Sequence, residues 1–182
     1  MGAFVVTPIL LDDVFGYALS LATSVLLLRP LSFSLASPLG GRFTTVFGER
    51  RTSVWSAGIL AASMGLFALG SSLELIALVI AALAISGVSL GACSPSFMSA
   101  VTDAAEPHEL GLATGMLSTA AALGTVVGIQ TAVLALGDGD PHRAADFRLP
   151  YLIGALAGGL MLVAAAVLHP VRRDAIAAVA VA

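Results

Sequence analysis

The 182-residue sequence is poor in charge, holds a single cysteine and has no lysine. Only 10% of its residues are charged, against roughly 25% in soluble domains, which excludes an ordinary solvated surface. Cys93 has no second cysteine to pair with and lies in an apolar run, so an intramolecular disulfide is excluded and the residue reads as a small buried hydrophobe. Arginine supplies all eight basic residues, against eleven acids, for a net charge of −3. These charges cluster between apolar runs and form no field over one surface, so nucleic-acid binding is excluded. Lysine-free, alanine-rich usage of this kind is that of a GC-rich genome and points to a bacterial source.

The constellations that carry catalysis are also missing. His108-Glu109 is followed by Leu110-Gly111-Leu112, without the second histidine of a metalloprotease helix. Asp138-Gly139-Asp140-Pro141-His142 lacks the later glycine and glutamate of a calcium loop and reads as an exposed turn. No glycine loop of the phosphate-cradling type occurs, and no nucleophile stands beside a base. No enzyme activity, cofactor or metal is expected.

What the sequence has is length of apolar run. Hydrophobic residues make up 58% of it, and the mean hydropathy is +1.02. Five runs, near 18–38, 54–71, 75–101, 112–135 and 151–169, are long enough to cross a hydrocarbon core, which takes about 20 residues as a helix. Backbone groups in lipid must be satisfied internally, and runs without dyad alternation select helices over a barrel. The expected fold is an all-α integral membrane protein: about five transmembrane helices plus a partial helix at the amino terminus. The stretch Met1 to Leu11 is about half a span, stops at Asp12-Asp13 and lacks the basic start of a signal peptide. It reads as the tail of a helix whose beginning lies upstream. The organisation is then 1–17 partial helix and outer turn, 18–169 helical bundle, and 170–182 cytoplasmic tail.

Orientation follows from the arginines. With the carboxyl terminus inside, the inner segments hold Arg42, Arg50, Arg51, Arg172 and Arg173, and the outer ones only Arg143 and Arg148. Small residues recur at four-residue spacing in Gly87/Gly91, Gly111/Gly115, Gly124/Gly128 and Gly154/Gly158. Such pairs let helix backbones approach closely, which is how helices associate in lipid.

Arg29 stands near the middle of the apolar run from Ala18 to Leu39. An ionised side chain there costs on the order of 3 kcal/mol or more, so a partner, a wet cavity or a substrate must receive it. Asp12 and Asp13 are too far along the axis to pair with it inside one helix. The residues leave two roles open: a permanent bond to backbone carbonyls or a neighbouring helix, and a place on a polar pathway. On a helical wheel Ser32 shares the arginine's side, while Ser20, Thr23, Ser24 and Ser34 gather on the other. A helix with two polar faces has little left for lipid, which favours an assembly larger than five helices. Pro30 frees a backbone carbonyl beside Arg29. Gln130 is the one amide inside any predicted span; it lines a cavity or bonds a neighbouring helix. Ser94-Pro95-Ser96 loosens the third predicted helix.

Two stretches carry a family resemblance. The segment Ser37-Pro38-Leu39-Gly40-Gly41-Arg42-Phe43-Thr44-Thr45-Val46-Phe47-Gly48-Glu49-Arg50-Arg51 resembles the inner loop of major facilitator superfamily transporters. The segment Glu106-Pro107-His108-Glu109-Leu110-Gly111-Leu112-Ala113-Thr114-Gly115 is similar to the loop before a late helix of the fourteen-span drug:proton antiporters. Asp13-Val14-Phe15-Gly16-Tyr17 resembles an outer turn in the same order. The resemblance covers nearly the whole chain and implies the carboxyl-terminal half of such a transporter, in the cell membrane, bacterial inner membrane included. It implies proton-coupled efflux of small lipophilic or amphipathic compounds, with Arg29, Ser32 and Gln130 on the pathway. Gly40, Gly41, Arg42, Gly48, Arg50 and Arg51 would form an inner gate. The implied partners are the lipid bilayer, a small-molecule substrate, the proton, and an amino-terminal half or a second copy. Thr45 and Val46 stand where the pattern has an aspartate and an arginine, and Leu110 where it has an arginine, so a charge relay there is not expected. The competing reading is a non-transporting half-unit, an interaction partner or a decayed gene product.

Overall fold

The computed structural model describes residues 2–17, 19–137 and 143–167. Seven helices follow in order: α1 Gly2–Asp13, α2 Leu19–Leu26, α3 Leu28–Phe47, α4 Glu49–Ser72, α5 Ile76–Ala104, α6 Leu110–Leu136 and α7 Arg148–Val167. Five of the helical segments are long and apolar enough to cross a membrane, α2 and α3 together supplying the first of them, Ala22–Phe47. The all-α membrane bundle with a short helix at the amino terminus is therefore the fold observed.

The break between α2 and α3 has a local cause. Pro30 has no amide hydrogen to donate to the carbonyl of Leu26, and its ring crowds that carbonyl, so the helix path kinks around Leu27. The path is barely lost: Leu27 keeps a right-handed helical backbone, and the Leu31 amide donates to its carbonyl at 3.1 Å.

The predicted inner loop is not a loop. α3 continues past residue 38 to Phe47, and α4 begins at Glu49, leaving Gly48 as the single non-helical residue of the joint. Gly48 has φ +84°, a conformation that costs a side-chain-bearing residue and not glycine. Pro38, Gly40 and Gly41 look like loop residues, yet Gly40 is buried against the backbone of Ala92 on α5. Close approach in lipid outweighs glycine's weak helix propensity. The other predicted spans shift outward at most ends, 54–71 becoming Glu49–Ser72 and 112–135 becoming Leu110–Leu136.

α3 packs on α5, α5 on α4, and α4 on α7, with α1 lying between α6 and α7. The crossing of α3 and α5 is glycine-built. A Cβ on Gly87 would meet the carbonyl oxygen of Arg29 at 2.5 Å, and one on Gly91 would strike the carbonyl of Phe33. Across α4 and α7, a Cβ on Gly158 would stand 3.2 Å from the Cα of Ala61 and one on Gly154 would stand 3.1 Å from the Met64 sulfur. By contrast, a Cβ on Gly111, Gly115 or Gly124 would meet nothing within 4 Å. The reason is that α6 is buried only at Ala132 and Leu136, near its carboxyl end.

The apolar core lies toward the end of the bundle where α4 turns into α5, and there Val6, Leu10, Phe67, Leu83, Leu136 and Tyr151 meet. Phe67 and Tyr151 stack with ring centroids 5.0 Å apart, and the Tyr151 hydroxyl lies 3.4 Å from that of Thr7. Many buried residues are serines, and their hydroxyls are satisfied within the bundle. Ser63 and Ser86 donate to carbonyls three residues back, and Ser89 of α5 donates to the Ser56 carbonyl of α4 at 2.6 Å. Among the described residues no buried side-chain nitrogen or oxygen lacks a hydrogen-bond partner.

Candidate functional site

Beside this core, at the depth of Arg29 and bordered by Met64, Phe67 and Leu83 of the core itself, the bundle holds a partly open cavity of about 410 Å³. Six helices contribute to it: Phe4 of α1, Arg29 of α3, Met64 of α4, Ser86 of α5, Thr131 of α6 and Gly154 of α7 are on its wall. The wall is mostly Leu, Met, Val, Ile, Ala and Gly; among the described residues Arg29 is the one ionisable side chain on it, and Ser86 and Thr131 are the two hydroxyls. The size falls in the range of about 300–1,000 Å³ usual for small-molecule sites.

Arg29 is held at the wall by the face of Phe4, with its guanidinium carbon 4.8 Å from the ring centroid. An aromatic face attracts the cation through its quadrupole. The kink at Leu27 and the glycine crossing fix the backbone on either side of Arg29, since Gly87 rests on its carbonyl. The pathway residues predicted from sequence separate here. Arg29 lines the cavity; Ser32 and Gln130 do not. Ser32 packs at the α3/α5 crossing, its Cβ 2.9 Å from where a Gly87 Cβ would stand. Gln130 is exposed, and its neighbour Thr131 takes the place on the wall. Phe4, Ser86 and Thr131 were missed by sequence reasoning. Only a shared face, three or four residues apart on α6 through Gly124, Val127, Gly128 and Thr131, could have pointed to the last.

At the end of the bundle where α3 turns into α4 the predicted gate residues lie on helices: Arg42 on α3, and Arg50 and Arg51 in the first turn of α4. Arg50 donates through Nη2 to the Ala166 carbonyl at the end of α7, at 2.5 Å, where a cation complements the helix dipole. Beside it Ser99 of α5 donates to Glu49 Oε1 at 2.7 Å. Thr44 and Ser96, on α3 and α5, share a hydrogen bond of 2.7 Å. The joint at Gly48 is thus tied to both α5 and α7, through a carboxylate and a carbonyl. Arg172 and Arg173 lie outside the described residues.

A bundle of five membrane-length helices around one arginine-bearing cavity defines a multi-pass membrane protein. The family model described as Major Facilitator Superfamily matches residues 1–180, and the chain belongs to that superfamily. Its members are membrane transporters, and transport across the membrane is the function this membership gives. Among curated proteins and solved structures, none matches the chain.

Proposed function

We propose that the chain serves as the carboxyl-terminal half of a proton-coupled efflux transporter, of the fourteen-span drug:proton antiporter kind, for small lipophilic or amphipathic compounds. The observation that carries this reading is the apolar cavity with Arg29 on its wall. An arginine at mid-membrane is expensive, and a cavity lined by it and by apolar side chains is matched to amphipathic solutes. The Gly48 joint, with Glu49 and Arg50 bonded to α5 and α7, is the element that would loosen as two bundles rock against each other. Alternating access needs a second bundle facing this one, from an amino-terminal half or a second copy.

The test uses membrane vesicles from cells that naturally encode the chain, with the wild-type allele or Arg29→Gln. Energised vesicles should move the neutral lipophilic dye Nile red, and a protonophore should stop it. Arg29→Gln should abolish the flux while the protein remains in the membrane. Full flux from that variant, or flux indifferent to the protonophore, would overturn the reading.

A further inference from the structure

We infer that the cavity takes a lipophilic solute carrying a hydrogen-bond donor, of the aliphatic alcohol class, and that Thr131 accepts that donor. The inference rests on the reading of the cavity as a solute site and narrows the solute by the sense of its hydrogen bond.

The wall hydroxyls set that sense. A hydroxyl has one hydrogen to give and two lone pairs with which to receive. Thr131 gives its hydrogen to the Val127 carbonyl at 2.7 Å, and Ser86 gives its own to the Leu83 carbonyl at 2.8 Å. Both residues line the cavity, so what they leave to a solute is acceptor capacity. Ser86 is only 1% exposed, whereas Thr131 is half-buried, which makes Thr131 the hydroxyl a solute meets. Thr114, Ser118, Thr119 and Thr125 of α6 bond their own helix in the same way, but none of them lines the cavity.

Donor and acceptor solutes are then unequal. An ether or carbonyl oxygen engages the Thr131 hydrogen only by taking it from Val127, one bond lost for one made. An alcohol donates to a Thr131 lone pair and leaves the bond to Val127 in place, a net gain of one hydrogen bond and of about fivefold in affinity. An ammonium brings donors too, but its charge would leave water for a wall that holds no carboxylate among the described residues. Arg29 is engaged with the Phe4 ring and in a further interaction. As a donor-only group it serves an alcohol oxygen and an ether oxygen alike, so it does not enter the contrast.

The rest of the wall suits a tail. Leu60, Leu90 and Val127 are apolar, and the unbranched thioethers of Met64 and Met161 fit chains of variable shape. Gly124 and Gly128 share the Thr131 face of α6 and leave room beside it. A donor on such a tail has two sources, a free lipophilic alcohol and a diacylglycerol of the bilayer.

The full chain in phosphatidylcholine nanodiscs would be titrated with radiolabelled 1-decanol and with its isomer methyl nonyl ether, which keeps the oxygen near the chain end and lacks the donor. Empty discs give the partitioning of each probe, and affinities are referred to its concentration in the lipid. The alcohol should bind saturably and about fivefold more tightly than the ether. Thr131→Val, which keeps the side chain's shape, should bring the alcohol down to the ether's affinity and leave the ether as in the wild type, while Thr131→Ser should keep the preference. Ala157→Phe, which fills the cavity, should weaken both probes. An ether bound as tightly as the alcohol, no saturable binding of the alcohol, or a preference that survives in Thr131→Val would overturn the inference. The wild-type comparison decides it even where a variant fails to fold. In discs containing dioleoylglycerol, displacement of 1-decanol assigns the donor to a membrane lipid and undisturbed binding assigns it to a free alcohol; each upholds the donor class. Nile red carries no donor, and a donor adds affinity without being a condition of entry, so the dye flux is a separate readout. Donor-selective binding without Arg29-dependent dye flux would uphold this inference and sink the transport reading. Arg29-dependent flux without donor preference would do the reverse.

Discussion

At the scale of single residues, glycines of the same spacing do different things. Gly87 and Gly91 let α5 rest on the carbonyls of Arg29 and Phe33, with no room for a Cβ. Gly111 and Gly115 are open. Gly87→Leu and Gly91→Leu should each cost about 1–3 kcal/mol through overpacking, seen as a fall of several degrees in the thermal midpoint of the detergent-solubilised chain. Gly115→Ala should leave the midpoint unchanged or slightly raised, since alanine is the better helix former. Equal losses at all three positions would contradict the crossing described. The four-residue spacing was legible in the sequence; which pairs meet a neighbour was not, because spacing describes one helix and contact needs two. Arg29 was legible for the opposite reason. A mid-membrane charge is conspicuous against any apolar run, whatever surrounds it, while the hydroxyls of Ser86 and Thr131 resemble those of the many serines and threonines that bond only their own helix.

At the scale of elements, the joint of α3 and α4 is where sequence reasoning departed furthest from the structure. Pro38, Gly40 and Gly41 are loop-forming residues by ordinary propensity, and the charges that follow strengthen that impression. Within the bundle Gly40 buys close packing on Ala92, Thr44 bonds across to Ser96, and the helix continues to Phe47. The five spans themselves were legible because hydropathy over some 20 residues needs no tertiary knowledge. Their ends were not, since helix ends are set by caps and neighbours. Arg50 supplies such a cap to α7 through the Ala166 carbonyl. Arg50→Gln should destabilise the last turn of α7 by about 0.3–1 kcal/mol, giving a few-fold faster hydrogen exchange in that turn, whereas Arg51→Gln should leave the exchange there unchanged. Identical exchange in wild type and Arg50→Gln would show that the contact contributes nothing measurable.

For the molecule as a whole, the charges gather at the two ends, acids at both, and the spans between them differ in burial. Toward one end stand Arg42, Arg50 and Arg51 with Glu49; at the other, Asp13, Glu74, Arg143 and Arg148 surround an open depression of about 560 Å³. The positive-inside rule, applied to the three arginines at the first end against two at the other, predicts that the first end is cytoplasmic. α6 is the least covered span, with Leu112, Met116 and Leu123 all exposed. Its Thr114, Ser118, Thr119 and Thr125 hydroxyls donate to carbonyls of the same helix, so the helix tolerates lipid or a second bundle on that side. Orientation can be read directly, because Cys93 is 2% exposed and supplies a quiet background for introduced thiols. In intact cells a membrane-impermeant maleimide should label Ala145→Cys, at the outer end before α7, and leave the wild-type chain unlabelled. Arg51→Cys should react only after the membrane is permeabilised. The reverse pattern would invert the bundle, place the Gly48 joint outside, and remove the inner-gate role proposed for Arg50 while leaving the cavity around Arg29 as described.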